Sequence, residues 1–346
     1  MSKNIVIFSD GTDLNGGLDT NINSNVYRLF NMIEDRTSRQ VAFYDPGVGT
    51  TGKERWVGLM GGLGISKNIL QCYRFIYDQF ESGDSIYLFG FSRGAATVRS
   101  LAGFIHLFGI LPANRPELIE RAYKIYRISS NDVRNKKAKE FLAKNHTMWV
   151  RIKFIGVWDT VPALGLPVKW LDKLLDKTPW FHWSFHNFDL TPCIENAYHA
   201  LALDERRVAF TPALWNSNTV QSYQSLRQVW FCGAHTDVGG GNDGQGVSNI
   251  ALNWIINRAQ KHGLLIYEKN QVDTTENIDD KLNDSGIGLL RHILYPQRKQ
   301  RVYDSQVAGR PVVHESVLRR KLNLQNQPDS TYSTWITGMN PEVEKT

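Results

Sequence analysis

One short stretch of the sequence constrains the fold more than any other. Residues 84–99 read DSIYLFGFSRGAATVR, an apolar run that ends in a turn and continues into small residues with helical spacing. This pattern predicts a buried strand, a sharp turn and a helix. Gly90 and Gly94 flank Ser92, as a strained turn requires, because only small neighbours fit there. We therefore expect Ser92 to end a strand and expose a nucleophilic hydroxyl; a capping serine in a doubly wound sheet is the structural alternative.

The same region suggests how negative charge on a substrate oxygen would be stabilised. The helix after Ser92 would place its positive N-terminus there, and the backbone N–H of Arg93 could donate to an oxyanion. The N-terminal residues NIVIFSDGT predict a first buried strand that runs into a polar turn. A loop that leaves an early strand commonly supplies the second oxyanion donor, for which Gly11 or Thr12 is the candidate.

Asp10 in this turn has two interpretations. A carboxylate next to an oxyanion would oppose the charge that develops there. Asp10 could instead hold the loop through hydrogen bonds, or it could ligate a cation together with Asp237. The sequence has no second cluster of metal ligands at a recognisable spacing, so no metal is expected.

A serine nucleophile needs a histidine base and an orienting acid at neighbouring strand ends. Residues 151–160 read RIKFIGVWDT, a mostly apolar strand that ends at Asp159. Residues 229–241 read VWFCGAHTDVGGG, a second apolar strand that breaks into a glycine-rich loop at His235. The expected triad is therefore Ser92, Asp159 and His235, and the mechanism needs no cofactor.

Each partner also has an alternative interpretation. An aspartate that ends a strand is often a turn or helix cap, and Asp237 competes with Asp159 for the role of the acid. His199 and Asp204 lie in a segment that looks helical, and they form a weaker alternative pair.

Five blocks of sequence, taken together, resemble a known family. They are SDGT at 9–12 with NVYRL at 25–29, YDPGVGT at 44–50, GFSRGA at 90–95, GVWDTV at 156–161 and GAHTDVGGG at 233–241. In this order they resemble the α/β-hydrolase family that includes the catalytic domains of type VI secretion phospholipase effectors. The resemblance implies a triad at Ser92, Asp159 and His235 and hydrolysis of glycerophospholipid esters. The sequence departs from the family at residues 242–244 and at Ala96, where aromatic residues are expected.

The expected fold is a three-layer α/β-hydrolase-like, mostly parallel sheet with helical and aromatic-rich cap insertions. A chain of 346 residues, 42% of them hydrophobic, can bury one large core, so a single domain over 1–346 is expected. Its parts would be core segments at about 1–112, 150–164 and 200–265, cap insertions at about 113–149 and 165–199, and a peripheral C-terminal segment at about 266–346.

The second insertion leaves the sheet just after Asp159 and is rich in aromatic residues. Trp183 and Phe185 are the candidate substrate-binding residues in it, because a cap at this place would cover the site. The alternative is that these rings belong to an ordinary core.

Charge favours some partners over others. The net charge of +6 permits weak attraction to anionic lipid headgroups, so peripheral membrane contact is one expectation. The Lys and Arg residues do not cluster into a nucleic-acid footprint. The basic run at 134–139 is interpreted as a solvated helix face, with membrane contact as the alternative.

The sequence also suggests a compartment. Its N-terminal residues show no tripartite signal pattern, and it has no uninterrupted apolar run of about 18 residues, so neither a signal peptide nor a membrane span is expected. Its three cysteines are too few for a disulfide framework and suit a reducing cytosol. We expect a cytoplasmic protein in the producing cell, with any export left to a specialised secretion system.

The predicted function is that of a serine esterase or lipase, with a phospholipase A-type enzyme favoured and a lipid or a small ester as substrate. Three alternatives stay open. They are a non-lipid esterase, a catalytically silent binding module with the hydrolase fold, and a metal-dependent phosphoesterase that uses Asp10, His235 and Asp237.

Overall fold

A single parallel sheet organises the chain. The computed structural model describes residues 2–11, 23–47, 62–161, 189–267, 272–283, 299, 301, 303–324 and 337–345. Its strands are β1 (Asn4–Ser9), β2 (Gln40–Asp45), β3 (Ser85–Phe91), β4 (Ile152–Trp158), β5 (Asn196–Ala202), β6 (Ser225–Phe231), β7 (Val312–His314) and β8 (Glu342–Glu344). The strand order is β2-β1-β3-β4-β5-β6-β7-β8, and each of these neighbouring pairs is parallel. The carboxyl ends of the strands therefore meet at one edge.

Helices cover both faces of the sheet. They are α1 (Asn25–Met32), α2 (Gly62–Gln79), α3 (Arg93–Phe108), α4 (Glu117–Tyr126), α5 (Asn131–Leu142), α6 (His235–Gly239), α7 (Gly246–Lys261), α8 (Ser305–Ala308) and α9 (Glu315–Leu324). Short 3₁₀ turns lie at Val208–Phe210, Ser217–Thr219 and Thr337–Met339. None of the helices in the described ranges is long and apolar enough to cross a membrane.

The core lies in two layers, one on each side of the sheet. Ile5 and Ile7 of β1 pack in the cluster that contains the apolar sides of α2 and α3. Val6 and Phe8 point to the opposite face and pack with α1 and α7. Strands buried on both faces read as continuous apolar runs, which is why the sequence marks them clearly. The predicted α/β class and mostly parallel sheet are confirmed.

The segment around His199 differs from its prediction. The sequence pattern predicts a helix there, but Asn196–Ala202 forms β5 between β4 and β6. Alanine and leucine favour helices, yet this segment is almost wholly buried within the sheet, and packing against neighbouring strands overrides local propensity. The core therefore resumes at residue 196 rather than at about 200.

The C-terminal segment is also placed differently. The sequence predicts a peripheral segment after about residue 266, but β7 and β8 extend the sheet beyond β6. Val313 of β7 is fully buried. Strands of three residues give almost no periodic signal, which explains why the pattern does not reveal them.

The two expected insertions have different outcomes. Residues 113–149 contain α4 and α5, whose apolar sides pack with α2 and α3 in the core on that face. The basic run on α5 is solvent-facing apart from buried Ala138 and half-buried Arg134. The aromatic segment with Trp183 and Phe185, like Thr12, lies outside the described residues.

Candidate active site

Ser92 occupies the turn between β3 and α3. Its backbone has φ 56° and ψ −120°, in the region that non-glycine residues rarely adopt. A Cβ at Gly94 would lie 2.0 Å from the carbonyl oxygen of Ser9, and one at Gly90 would lie 2.7 Å from the nitrogen of Ala95. Both positions therefore have no room for a side chain, and the tight packing holds the turn in its strained form.

Three side chains form a continuous hydrogen-bonded series at the carboxyl edge of the sheet. His235 Nε2 lies 2.9 Å from Ser92 Oγ, and His235 Nδ1 lies 2.6 Å from Asp159 Oδ2. Asp159 follows β4 with φ 38°, and His235 begins α6 just after β6. All three residues are buried. This arrangement can carry a proton from the serine hydroxyl to the imidazole while the carboxylate orients the ring.

Two aromatic rings hold the imidazole of His235. The Phe91 ring centre lies 4.6 Å from it, and the Phe210 ring centre lies 4.9 Å away, nearly edge-on. The guanidinium of Arg207 covers Phe210 at 3.6 Å from its ring centre. The imidazole is thus fixed by packing as well as by hydrogen bonds.

Glu205 anchors the start of α6. Its Oε2 accepts a hydrogen bond from the backbone N–H of His235 at 3.3 Å, and both of its oxygens bond Arg207. Burial alone would raise the pKa of Glu205, but the hydrogen bonds and charge of Arg207 lower it to about 2. Glu205 is absent from the sequence prediction. Recognition of residues 196–202 as a strand would have placed it at this edge.

Asp159 has more donors than the sequence suggests. Its Oδ1 accepts the backbone N–H of Ala202 at 3.0 Å, and Arg301 donates to both of its oxygens. Burial would raise the pKa of Asp159, but the charge of Arg301 and the hydrogen bond from His235 hold it well below its usual range. No motif marks Arg301, so sequence reasoning misses it.

Asp237 has other partners. It accepts hydrogen bonds from the N–H of Ala234 at 2.8 Å, from the amide nitrogen of Asn283 at 2.7 Å and from that of Asn242 at 3.2 Å. Burial raises the pKa of its carboxyl. Of the two candidate acids, Asp159 is the one that contacts the His235 ring nitrogen, while Asp237 holds the loops around α6.

Asp10 holds the turn after β1. It accepts hydrogen bonds from the N–H of Gly11 at 2.7 Å, from the hydroxyl of Tyr44 at 2.7 Å and from the hydroxyl of Ser24. Burial raises the pKa of Asp10 to about 6. The N–H of Gly11 is engaged with Asp10 here, and its role as an oxyanion donor stays a prediction. Arg93, the other described oxyanion candidate, is the first residue of α3.

The remaining candidates have separate roles. His199 Nε2 accepts the N–H of Thr160 at 3.1 Å, and burial lowers the pKa of this imidazole to about 3. Asp204 accepts the N–H of Gly233 at 2.7 Å. Both side chains therefore support the loops that carry Asp159 and His235. Among the residues with described structure, no three His, Cys, Asp or Glu side chains are grouped so that they could hold a metal ion.

Comparisons with known proteins point to one family. The model of the family described as "T6SS, Phospholipase effector Tle1-like, catalytic domain" matches residues 3–258. The uncharacterized protein YEL023C of Saccharomyces cerevisiae is 31% identical in an alignment of 245 residues that covers 61% of this chain and 33% of the yeast protein. The chain thus matches about a third of the length of that relative.

Two solved structures are similar at low sequence identity. An uncharacterized protein from Pseudomonas aeruginosa has a TM-score of 0.49 and 18% identity, over 80% of this chain and 49% of its own. The Tle1 effector bound to the VgrG spike of the type VI secretion system has a TM-score of 0.45 and 15% identity, over 88% of this chain and 82% of its own.

The raised pKa of Asp10 predicts that the effect of replacing it on the stability of the protein varies with pH. The folded protein binds this proton more tightly than the unfolded chain, so Asp10 contributes stability at low pH that is lost as the pH rises through about 6. Asp10→Asn should therefore destabilise the protein more at pH 5 than at pH 8, by on the order of 1 kcal/mol.

Urea unfolding at the two pH values measures this difference. Asp132→Asn, at an exposed position on α5, is the control and should change the free energy of unfolding equally at both. If Asp10→Asn changes the free energy of unfolding equally at both pH values, the pKa of Asp10 is not raised in the folded protein.

Proposed function

The chain belongs to the family of Tle1-like phospholipase effector catalytic domains of type VI secretion, and we propose that it is a serine hydrolase that cleaves glycerophospholipid esters. The observation that carries the proposal is the unbroken series of hydrogen bonds from Ser92 through His235 to Asp159. Family membership supports the class of enzyme, and the geometry of the site supports the choice of nucleophile, base and acid.

The proposed reaction begins at Ser92. Its Oγ attacks the ester carbonyl carbon while His235 Nε2, 2.9 Å away, takes the hydroxyl proton. Asp159 keeps the other ring nitrogen protonated and stabilises the imidazolium. His235 then returns the proton to the leaving alcohol, and a water molecule, activated by the same imidazole, releases the fatty acid from the acyl-enzyme.

The oxyanion of the tetrahedral intermediate would form at the N-terminus of α3. This helix runs from Arg93 to Phe108, so its positive end lies next to Ser92. The backbone N–H of Arg93 is the proposed first donor. The candidates for the second donor are Gly11, whose N–H here donates to Asp10, and Thr12.

The substrate assignment rests on the family. A phospholipase A-type reaction, which releases one fatty acid and a lysolipid, is the form that a serine nucleophile would catalyse. We also propose that the chain acts as one domain at a lipid surface, with peripheral contact favoured by its net positive charge, and that export uses a specialised secretion system.

Replacement of the nucleophile tests the proposal. Ser92→Ala should lower the hydrolysis of both phosphatidylethanolamine vesicles and p-nitrophenyl butyrate by roughly 10⁴-fold or more, because it removes the hydroxyl on which the acyl-enzyme would form. Thermal stability should stay nearly unchanged, since the hydroxyl of Ser92 is not needed to cap α3.

Ser100→Ala is the matched control, because Ser100 is a buried serine of α3, the helix that follows Ser92, and its hydroxyl donates to the carbonyl of Ala96. It should keep activity. If Ser92→Ala keeps more than a few per cent of wild-type turnover, Ser92 is not the nucleophile and the proposed triad is wrong. Turnover of the small ester without release of fatty acid from the vesicles would restrict the function to a non-lipid esterase.

A second prediction separates the two acids. Asp159→Asn should lower kcat by about 10³–10⁴-fold, because an amide favours the wrong imidazole tautomer. Asp237→Asn should leave kcat within a few-fold of wild type and lower the melting temperature, because Asp237 bonds Ala234 and Asn283 rather than the ring of His235.

Steady-state kinetics on p-nitrophenyl butyrate, with circular dichroism as the check on folding, measures both effects. The opposite ranking, with Asp159→Asn nearly silent and Asp237→Asn inactive, would reverse the assignment.

A further inference from the structure

The chain places a buried arginine against its proposed catalytic acid from a distant part of the sequence. Arg301 follows Asp159 by 142 residues and lies beyond residue 258, where the family match ends. Its side chain is only 4% exposed, and that of Asp159 is fully buried. A buried cation at this place needs an explanation that the triad alone does not provide.

The guanidinium meets the carboxylate as a fork. Nη1 of Arg301 lies 2.7 Å from Asp159 Oδ1, and Nη2 lies 2.8 Å from Oδ2. The same two nitrogens also donate to the carbonyl oxygens of Ala202 and Phe210, each at 2.5 Å. Two parallel hydrogen bonds fix the plane of a carboxylate in a way that one donor cannot.

We propose that Arg301 is a positioning residue of the hydrolytic reaction, which holds the Asp159 carboxylate ionised and in the plane that His235 requires. The inference rests on the proposed function, because the orientation of His235 matters only if this imidazole transfers a proton. It adds the C-terminal segment to the machinery of the site, beyond the three residues that the family resemblance implies.

The position of Phe210 strengthens the inference. Its carbonyl accepts from Arg301 Nη2, and its ring packs against the imidazole of His235 at 4.9 Å between centres. Arg301 therefore ties together the acid, the end of β5 at Ala202 and the turn that packs on the base. Lysine has the charge but not the fork, so it could not make all four bonds at once.

The charge of Arg301 also determines how the pair responds to pH. Asp159 Oδ2 is shared between His235 Nδ1 and Arg301 Nη2. Without Arg301, a buried Asp159 would gain a proton more readily, and an ionised Asp159 would attract a proton onto His235 more strongly. After either change, a higher pH is needed before the deprotonated imidazole and the ionised acid coexist. The acid limb of the kcat/KM profile therefore shifts to higher pH.

Other charged or titratable groups near this pair lie outside the assay range or keep their own partners. Burial, with a smaller contribution from the charge of Arg301, lowers the pKa of His199 on β5 to about 3, and the pKa of Glu205 is about 2, so both lie well below the assay range. Arg207 is bonded to Glu205, and Arg99 of α3 lies over the ring of Trp215. The pKa of Asp10, raised to about 6 by burial, owes nothing to Arg301, so the Arg301 variants should leave it unchanged.

Three variants test the proposal on p-nitrophenyl butyrate between about pH 5 and about pH 8.5, a range that brackets histidine titration. Arg301→Met should lower kcat roughly tenfold to a hundredfold with little change in KM, and should move the acid limb upward by about one pH unit. Arg301→Lys should keep the limb near its wild-type position because the charge remains, while kcat still falls.

Arg320→Met is the matched control. Arg320 is also a buried arginine of the C-terminal segment, but it bonds the backbone carbonyls of Ile278 and Asp280. The Arg320→Met variant should be less stable than the wild type, and the acid limb of its kcat/KM profile should stay at the wild-type pH.

The outcomes separate a positioning role from a structural one. If Arg301→Met lowers kcat/KM by the same factor at every pH, as is expected of Arg320→Met, the role of Arg301 is structural and the inference is overturned. If Arg301→Met does not fold, Arg301→Lys decides: wild-type kcat overturns the inference, and a lowered kcat at unchanged KM supports it. A wild-type protein that neither hydrolyses esters nor reacts with a fluorophosphonate would overturn the proposed function as well, whereas an active wild type with unaffected Arg301 variants overturns this inference alone.

Discussion

The carboxylate of Asp159 is a fully buried ion, and such a group is tolerated only when hydrogen bonds and an opposite charge replace the lost water. Its four donors come from three places in the sequence: the backbone of Ala202, the imidazole of His235 and the guanidinium of Arg301. Loss of the Arg301 guanidinium would leave this charge without an opposite charge, and loss of either other donor would leave a buried oxygen with one hydrogen bond fewer. The end of β5, the start of α6 and the segment at Arg301 are therefore positioned by one electrostatic requirement.

Backbone strain is concentrated beside this charge. Ser92 and Asp159 both have positive φ, and the two turns hydrogen bond to each other through Ser92 N–H to the carbonyl of Trp158 and through Val161 N–H to the carbonyl of Ser92. Such conformations cost about 1–3 kcal/mol each and persist only where the surroundings enforce them. Here the enforcing contacts are the close approach of Gly94 to β1 and the buried core on both faces of the sheet. Stability elsewhere thus maintains a serine whose hydroxyl meets the imidazole.

The sequence reveals those parts that have a strong local signal. Strands that are buried on both faces can be predicted from the sequence, because they read as continuous apolar runs. The turn at Ser92 can be predicted as well, because Gly90 and Gly94 stand where only small residues fit. Arg301 has no such signal, because nothing local distinguishes it among 40 Lys and Arg residues and its partner lies far away in the chain. β5 is predicted as a helix because alanine and leucine favour helices, and the sequence does not show that packing within the sheet will override this preference. The role of Asp10 stays open in the sequence for a similar reason, since a turn sequence does not show that its carboxylate will accept the N–H of Gly11.

Ser92 is proposed to be a nucleophile activated by His235, and a covalent probe that bonds to the nucleophile shows which residue has this role. The full chain is treated with a fluorophosphonate, digested with a protease and sequenced by tandem mass spectrometry. A single phosphonyl adduct on Ser92 is expected, present in the folded protein and absent when the protein is unfolded before treatment. No adduct on the folded protein, or an adduct on another residue, would contradict the claim.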